Sequence, residues 1–113
     1  MNLQTQFERY IEATIKHGEA TSSSENYRQI NKAYSIIQKS FNVLMNNENG
    51  KDMLYSLLFH KNKYVSSWTA MLLIHDFPKE CEEIICKEIK EKGIWAGTIR
   101  TFYEEWKLGN IKR

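Results

Sequence analysis

The side chains that could do chemistry are three histidines (His17, His60, His75), two cysteines (Cys81, Cys86), the acid pairs Glu82–Glu83 and Glu104–Glu105, and the group Lys61, Lys63 and Tyr64. A metal site needs imidazoles, thiolates or carboxylates at a recurring short spacing, such as three or four residues apart on one helix face. No two of the histidines are so placed, and none pairs with a cysteine in a metal spacing. General-base work needs a histidine and an orienting partner. His75 and Asp76 are adjacent, and neighbours on a helix point apart. All three histidines fall at helix ends or loops, where an imidazole favours the last carbonyls.

The acid pairs are adjacent in sequence rather than facing, which does not suit two-carboxylate catalysis. No glycine-rich phosphate loop and no GxSxG serine occurs. Cys81 and Cys86, five residues apart on one expected helix, point to different faces and do not form CxxC. The expectation is a non-enzyme with no catalytic residue, no cofactor and no metal.

Binding chemistry remains. Lys61, Lys63 and Tyr64 form a small basic–aromatic cluster, and Arg100, Glu104 and Lys107 mark the outward face of the last helix. These six are the candidate partner-binding residues. Sixteen Lys and Arg against fourteen Asp and Glu leave +2, too little for a strong nucleic-acid field or a membrane-surface signal. Trp68 and Trp106 fall on core stripes. Trp95, one residue into its helix, is expected mainly as a packing residue, with partial exposure at an interface as the alternative.

The elements that must position these residues are all helical. Apolar residues recur at three and four along most of the chain, and no β-branched alternation marks a strand. Helices are expected over residues 3–17, 24–46, 51–59, 64–75, 79–92 and 94–108. The first carries Leu3, Phe7, Tyr10, Ile11, Thr14 and Ile15 on one face, with Gly18 as its stop and Thr21 to Ser24 as a polar loop. The second has the clearest stripe: Tyr27, Ile30, Tyr34, Ile37, Phe41 and Leu44. The fourth is apolar nearly all round, with Val65, Trp68, Ala70, Met71, Leu72, Leu73 and Ile74, so it belongs mid-domain and Trp68 should be buried. The fifth turns Cys81, Ile84, Ile85 and Ile89 inward and Glu82, Glu83 and Lys87 outward. Gly97, beside Ala96 inside the sixth, is expected at a close helix–helix approach.

The segment from Leu57 to Leu73 resembles a HEAT-like turn: two leucines, a polar loop, Val65 opening the next helix, then small residues and leucines. Ser66 stands where a HEAT repeat usually has arginine or lysine. Over residues 5 to 109 the chain resembles a family of small bacterial helical domains of uncharacterised function. The matching segments are Phe7–Tyr10, Asn31–Tyr34 and Ala96–Trp106 with the ending Glu105–Gly109. The resemblance implies one all-α, HEAT- or armadillo-like domain spanning residues 1–113, a short right-handed α-solenoid, with a compact helical bundle as the alternative. It also implies kinship with toxin-immunity proteins.

At 113 residues and 42% hydrophobic content the chain suits one globular domain with one core. Met1 to Gln6 lacks the basic and apolar regions of a secretory leader, and no run nears the length of a membrane span. A cytoplasmic, reduced protein is therefore expected; the resemblance implies an immunity or inhibitor protein that binds an unidentified protein partner. Weak nucleic-acid binding and a homo-oligomeric scaffold are the alternatives.

Overall fold

In the computed structural model, which describes residues 2–23 and 27–111, every regular element is helical. They are α1 (Leu3–Ser23), α2 (Tyr27–Met45), α3 (Glu48–Ser56), a 3-10 turn (Leu57–Phe59), α4 (Lys63–Leu73), α5 (Pro78–Glu88) and α6 (Ile94–Lys107). Local chemistry sets several starts. Asn47 caps α3 by accepting from the amides of Asn49 and Gly50, and Asn62 caps α4 by accepting from Tyr64 and Val65. Pro78 opens α5, and Gly93 at φ 113° makes the left-handed turn into α6.

Cross-helix contacts give the packing directions. Tyr10 meets Phe41 and His17 meets Tyr34, so α1 and α2 form an antiparallel hairpin. Ser22 bonds Tyr64 while Tyr10 bonds Thr69, so α4 runs antiparallel to α1. Arg100 reaches Ile89 and Tyr103 reaches Glu82, which makes α5 and α6 antiparallel. As expected, α4 is central, packing on α1, α3, α5 and α6. Around it close Tyr10, Ile37, Leu44, Leu54, Leu58, Ile85 and Ile99, all fully buried, as are its own Leu73 and the Ile74 that ends it. Its serines and threonine donate to backbone oxygens: Ser66 to Leu58, Ser67 to Lys63 and Thr69 to Val65. An apolar helix thus carries hydroxyls without an unmet donor.

Several expectations are corrected. α1 does not stop at Gly18 but continues to Ser23, because Gly18 is buried under the Tyr64 ring. A Cβ at 18 would stand 2.1 Å from Tyr64 Cδ1, so glycine serves close approach there, not termination. Thr21 to Ser23 are helical rather than loop, and Ser24 of the expected polar loop lies outside the described residues. α3 starts at Glu48 rather than 51, since Asn47 is a capping residue and not part of a longer loop. α5 ends at Glu88 rather than 92. Gly97 is not a close approach: nothing lies within 4 Å of where its Cβ would be. Glu82 is half-buried and accepts from Tyr103 at 2.8 Å, instead of standing on a solvated face.

Trp95 is a core residue, and the expectation that Trp68 is fully buried is corrected. Trp95 is 2% exposed and donates from Nε1 to Ser67 Oγ at 2.9 Å, whereas Trp68 is only partly buried. Trp95 begins a helix that docks across α4, so its ring is covered, while Trp68 points from α4 toward an open cleft. Tyr34, expected on the core stripe of α2, is 41% exposed and stacks on Trp68 with centroids 6.1 Å apart.

Candidate functional site

The open cleft holds about 690 Å³ and draws its walls from α1, α2, α4 and α6. Its rings are linked. Trp95 meets Tyr64 edge-on at 5.4 Å and Trp68 at 6.3 Å. His17 stands perpendicular to Trp68 at 5.0 Å, and Tyr34 stacks on that indole at 6.1 Å while meeting His17 edge-on at 6.4 Å. Phe41, Met71, Leu72 and Phe102 complete the apolar lining. Among the described residues no Lys, Arg, Asp or Glu lines it.

Several polar atoms of the cleft are engaged in ways that fix the rings. Trp68 Nε1 donates to His17 Nδ1 at 3.3 Å, which requires an unprotonated Nδ1. Burial pushes the His17 pKa below its ordinary 6.5, so this imidazole is neutral at pH 7. Gln38 donates to the Tyr34 hydroxyl at 2.9 Å. At the other rim His75 Nε2 lies 3.1 Å from the Ile111 carbonyl, holding the end of the described chain against the cleft. The described lining is therefore neutral, aromatic and preorganised. Stacked and edge-on rings of this kind lose little conformational freedom when a partner covers them.

The six sequence-selected residues lie elsewhere. Tyr64 is drawn into the seam between α1 and α6, where it bonds Ser22 at 3.0 Å and faces Trp95. Lys63 sits 5.3 Å above the Tyr64 ring, and its charge reaches Glu88 at the end of α5. Lys61 is exposed in the turn before α4. Arg100 donates to the Ile89 carbonyl at 2.7 Å, Glu104 is exposed, and Lys107 lies 4.7 Å over Tyr103. At 100° per residue, these three face away from Thr98 and Phe102, which line the cleft. The structure thus brings Lys63 and Arg100 to the end of α5, and separates all six from the cleft lining.

Sequence reasoning missed the cleft because its members belong to different helices and each reads singly as core. One usable signal was Tyr34. A tyrosine inside a strong stripe must still find water or a partner for its hydroxyl, which places it at an edge.

The potential reactive groups are quiet. Cys81 is buried, and desolvation, helped by Glu80, raises its pKa to about 12, so it is an inert thiol. Cys86 donates to Tyr103 at 3.6 Å, and Tyr103 donates on to Glu82. Those two hydrogen bonds and burial raise the phenol pKa, so Tyr103 is no base near neutral pH. Among the described residues no group of three or more His, Cys, Asp or Glu is placed to hold a metal ion. None of the described helices is long and apolar enough to cross a membrane.

No protein-family model matches the chain, and no curated relative matches it. Among solved structures, the crystal structure of the protein RPA1889 from Rhodopseudomonas palustris is similar over 100% of this chain and 94% of that one, with a TM-score of 0.82 at 17% sequence identity. At that identity the likeness shows a shared all-helical fold and nothing of the activity.

Proposed function

We propose that the protein is a non-enzymatic interaction domain that occupies one protein partner, in the manner of a cytoplasmic immunity or inhibitor protein. In this reading the helix pairs form a short HEAT-like right-handed α-solenoid, and the cleft between α1, α2, α4 and α6 is its binding face. One observation carries the reading: a half-open cleft walled by His17, Tyr34, Phe41, Trp68 and Phe102, with no Lys, Arg, Asp or Glu among the described residues of its lining. Aromatic anchors in a sheltered patch are what protein interfaces concentrate their binding energy on. A neutral lining fits an uncharged apolar side chain of the partner better than a phosphate or a metal complex.

The test is to co-express the protein with its neighbouring gene products, isolate a stoichiometric complex, and measure affinity for substituted forms. Tyr34→Ala and Phe102→Ala should each weaken the complex at least tenfold, as loss of about 1.4 kcal/mol or more does. Lys61→Ala should leave it unchanged. A complex insensitive to both cleft substitutions but lost on replacing Lys61 or Arg100 would move the binding face to the charged side and refute the cleft.

A further inference from the structure

A second concavity differs from the cleft in charge. α1 and α2 enclose a half-open groove of about 500 Å³. Its floor includes Ala13, Ala33 and Ile36, and its rims carry Arg9 and Lys16 from α1 with Lys32 and Lys39 from α2. Among the described residues one carboxylate lines the groove, Glu12, paired with Lys16 at 2.7 Å. On each helix the two cations are seven residues apart, two turns or about 10.5 Å along the axis. The hairpin register set by Tyr10 against Phe41 and His17 against Tyr34 brings Arg9 within about a turn of Lys39, and Lys16 within about a turn of Lys32. The cations therefore stand as two facing pairs at the two ends of the groove.

This is a local concentration in a chain whose formal charge is +2. The whole of α2, from Tyr27 to Met45, carries Arg28, Lys32 and Lys39 and no Asp or Glu. No aromatic ring lines the groove, so it offers no stacking platform for nucleic-acid bases. A small apolar floor between basic rims suits a helix-in-groove contact, with apolar side chains downward and acids at the edges.

We infer that the α1–α2 groove binds an acidic amphipathic segment of a protein partner. Carboxylates two helical turns apart would meet the Arg9–Lys39 and Lys16–Lys32 ends, with small apolar side chains seated on Ala13, Ala33 and Ile36. This surface is independent of the aromatic cleft, and either can fail without the other.

The probe is a fluorescein-labelled helical peptide of about 18 residues, five turns, with glutamates two turns apart and alanine and leucine on the face between them. Its anisotropy is read beside that of a single-stranded DNA oligonucleotide of equal net charge, at low and at physiological salt. The peptide should bind at low salt and weaken as salt rises. Lys32→Glu with Lys39→Glu should weaken it at least tenfold, while the charge-matched pair Lys79→Glu with Lys90→Glu should not. Both pairs are exposed, and melting followed by circular dichroism checks that they fold. If the first pair fails to fold, Lys32→Gln with Lys39→Gln replaces it. The inference is overturned if no peptide binding is seen at low salt, if both double variants weaken it equally, or if the oligonucleotide binds more tightly than the peptide. It also falls if light scattering shows a dimer that Lys32→Glu with Lys39→Glu abolishes, since the groove would then hold a second copy of the chain.

Discussion

Replacing Trp95 by alanine should destabilise the protein far more than replacing Trp68, although Trp68 lies in the most apolar helix. Trp95 is 2% exposed and contacts the rings of His17, Tyr64 and Trp68. A fully buried indole removes about 200 Å² from water, and at about 25 cal/mol per Å² that transfer is worth about 5 kcal/mol. Measured losses for removing a large aromatic from a core run at about 3–5 kcal/mol, because the cavity relaxes in part. The lost hydrogen bond adds little: Ser67 still donates to the Lys63 carbonyl, so no buried donor is orphaned. We therefore expect a loss of about 4 kcal/mol for Trp95→Ala. Trp68 is already partly wet on its cleft side, and about 2 kcal/mol is expected for Trp68→Ala. In urea titration with a slope of about 1.5 kcal/mol per molar, the midpoints should fall by about 2.7 M and 1.3 M respectively. A domain with about 5–15 kcal/mol in total would be left marginal by the first change and folded after the second. Equal midpoints, or a larger fall for Trp68→Ala, would refute the assignment of Trp95 as the buried anchor.

Gly50→Ala should cost about 3 kcal/mol and lower the melting temperature by about 10 °C, because the new methyl would lie 2.2 Å from the Leu44 carbonyl oxygen and backbone cannot step aside. Gly97→Ala should instead gain about 0.5–1 kcal/mol, since nothing lies within 4 Å and alanine is the better helix former; a differential scanning calorimetry trace that ranks the two the other way contradicts the packing. His17 gives a pH dependence. Its folded pKa lies below the ordinary 6.5, so the unfolded chain takes up the proton first and stability must fall as pH drops through and below that value. The difference in denaturation midpoint between the wild type and His17→Gln should therefore shift against the wild type from pH 7.5 to 5.5, and a constant difference would remove the buried, Trp68-bonded imidazole from the account. Asn62→Ala should cost about 1 kcal/mol by urea titration, because its side chain accepts from two amides at the start of α4; a loss under about 0.3 kcal/mol would mean that the cap is idle.

Local information in the chain was enough for the helices themselves. The three-and-four recurrence in α2, the glycine at 93 and the proline at 78 act within a few residues, so they could be read without knowing any neighbour. The centrality of α4 was legible for the same reason, since a helix apolar on nearly every side has to be surrounded. Where each helix stops and which ring faces water were decided by partners distant in sequence. Gly18 reads as a terminator, yet it sits mid-helix because Tyr64, far along the chain, occupies the space a side chain would need. Trp95 and Trp68 are alike in kind, and only the docking of α6 across α4 covers one and leaves the other at a cleft. The same holds for both concavities. The cleft rings come from four helices, and the basic groove exists because the hairpin register sets two cation pairs face to face. Periodicity reports the face of one helix that must be buried; which side chains meet across helices depends on register and crossing, which no single-helix pattern contains.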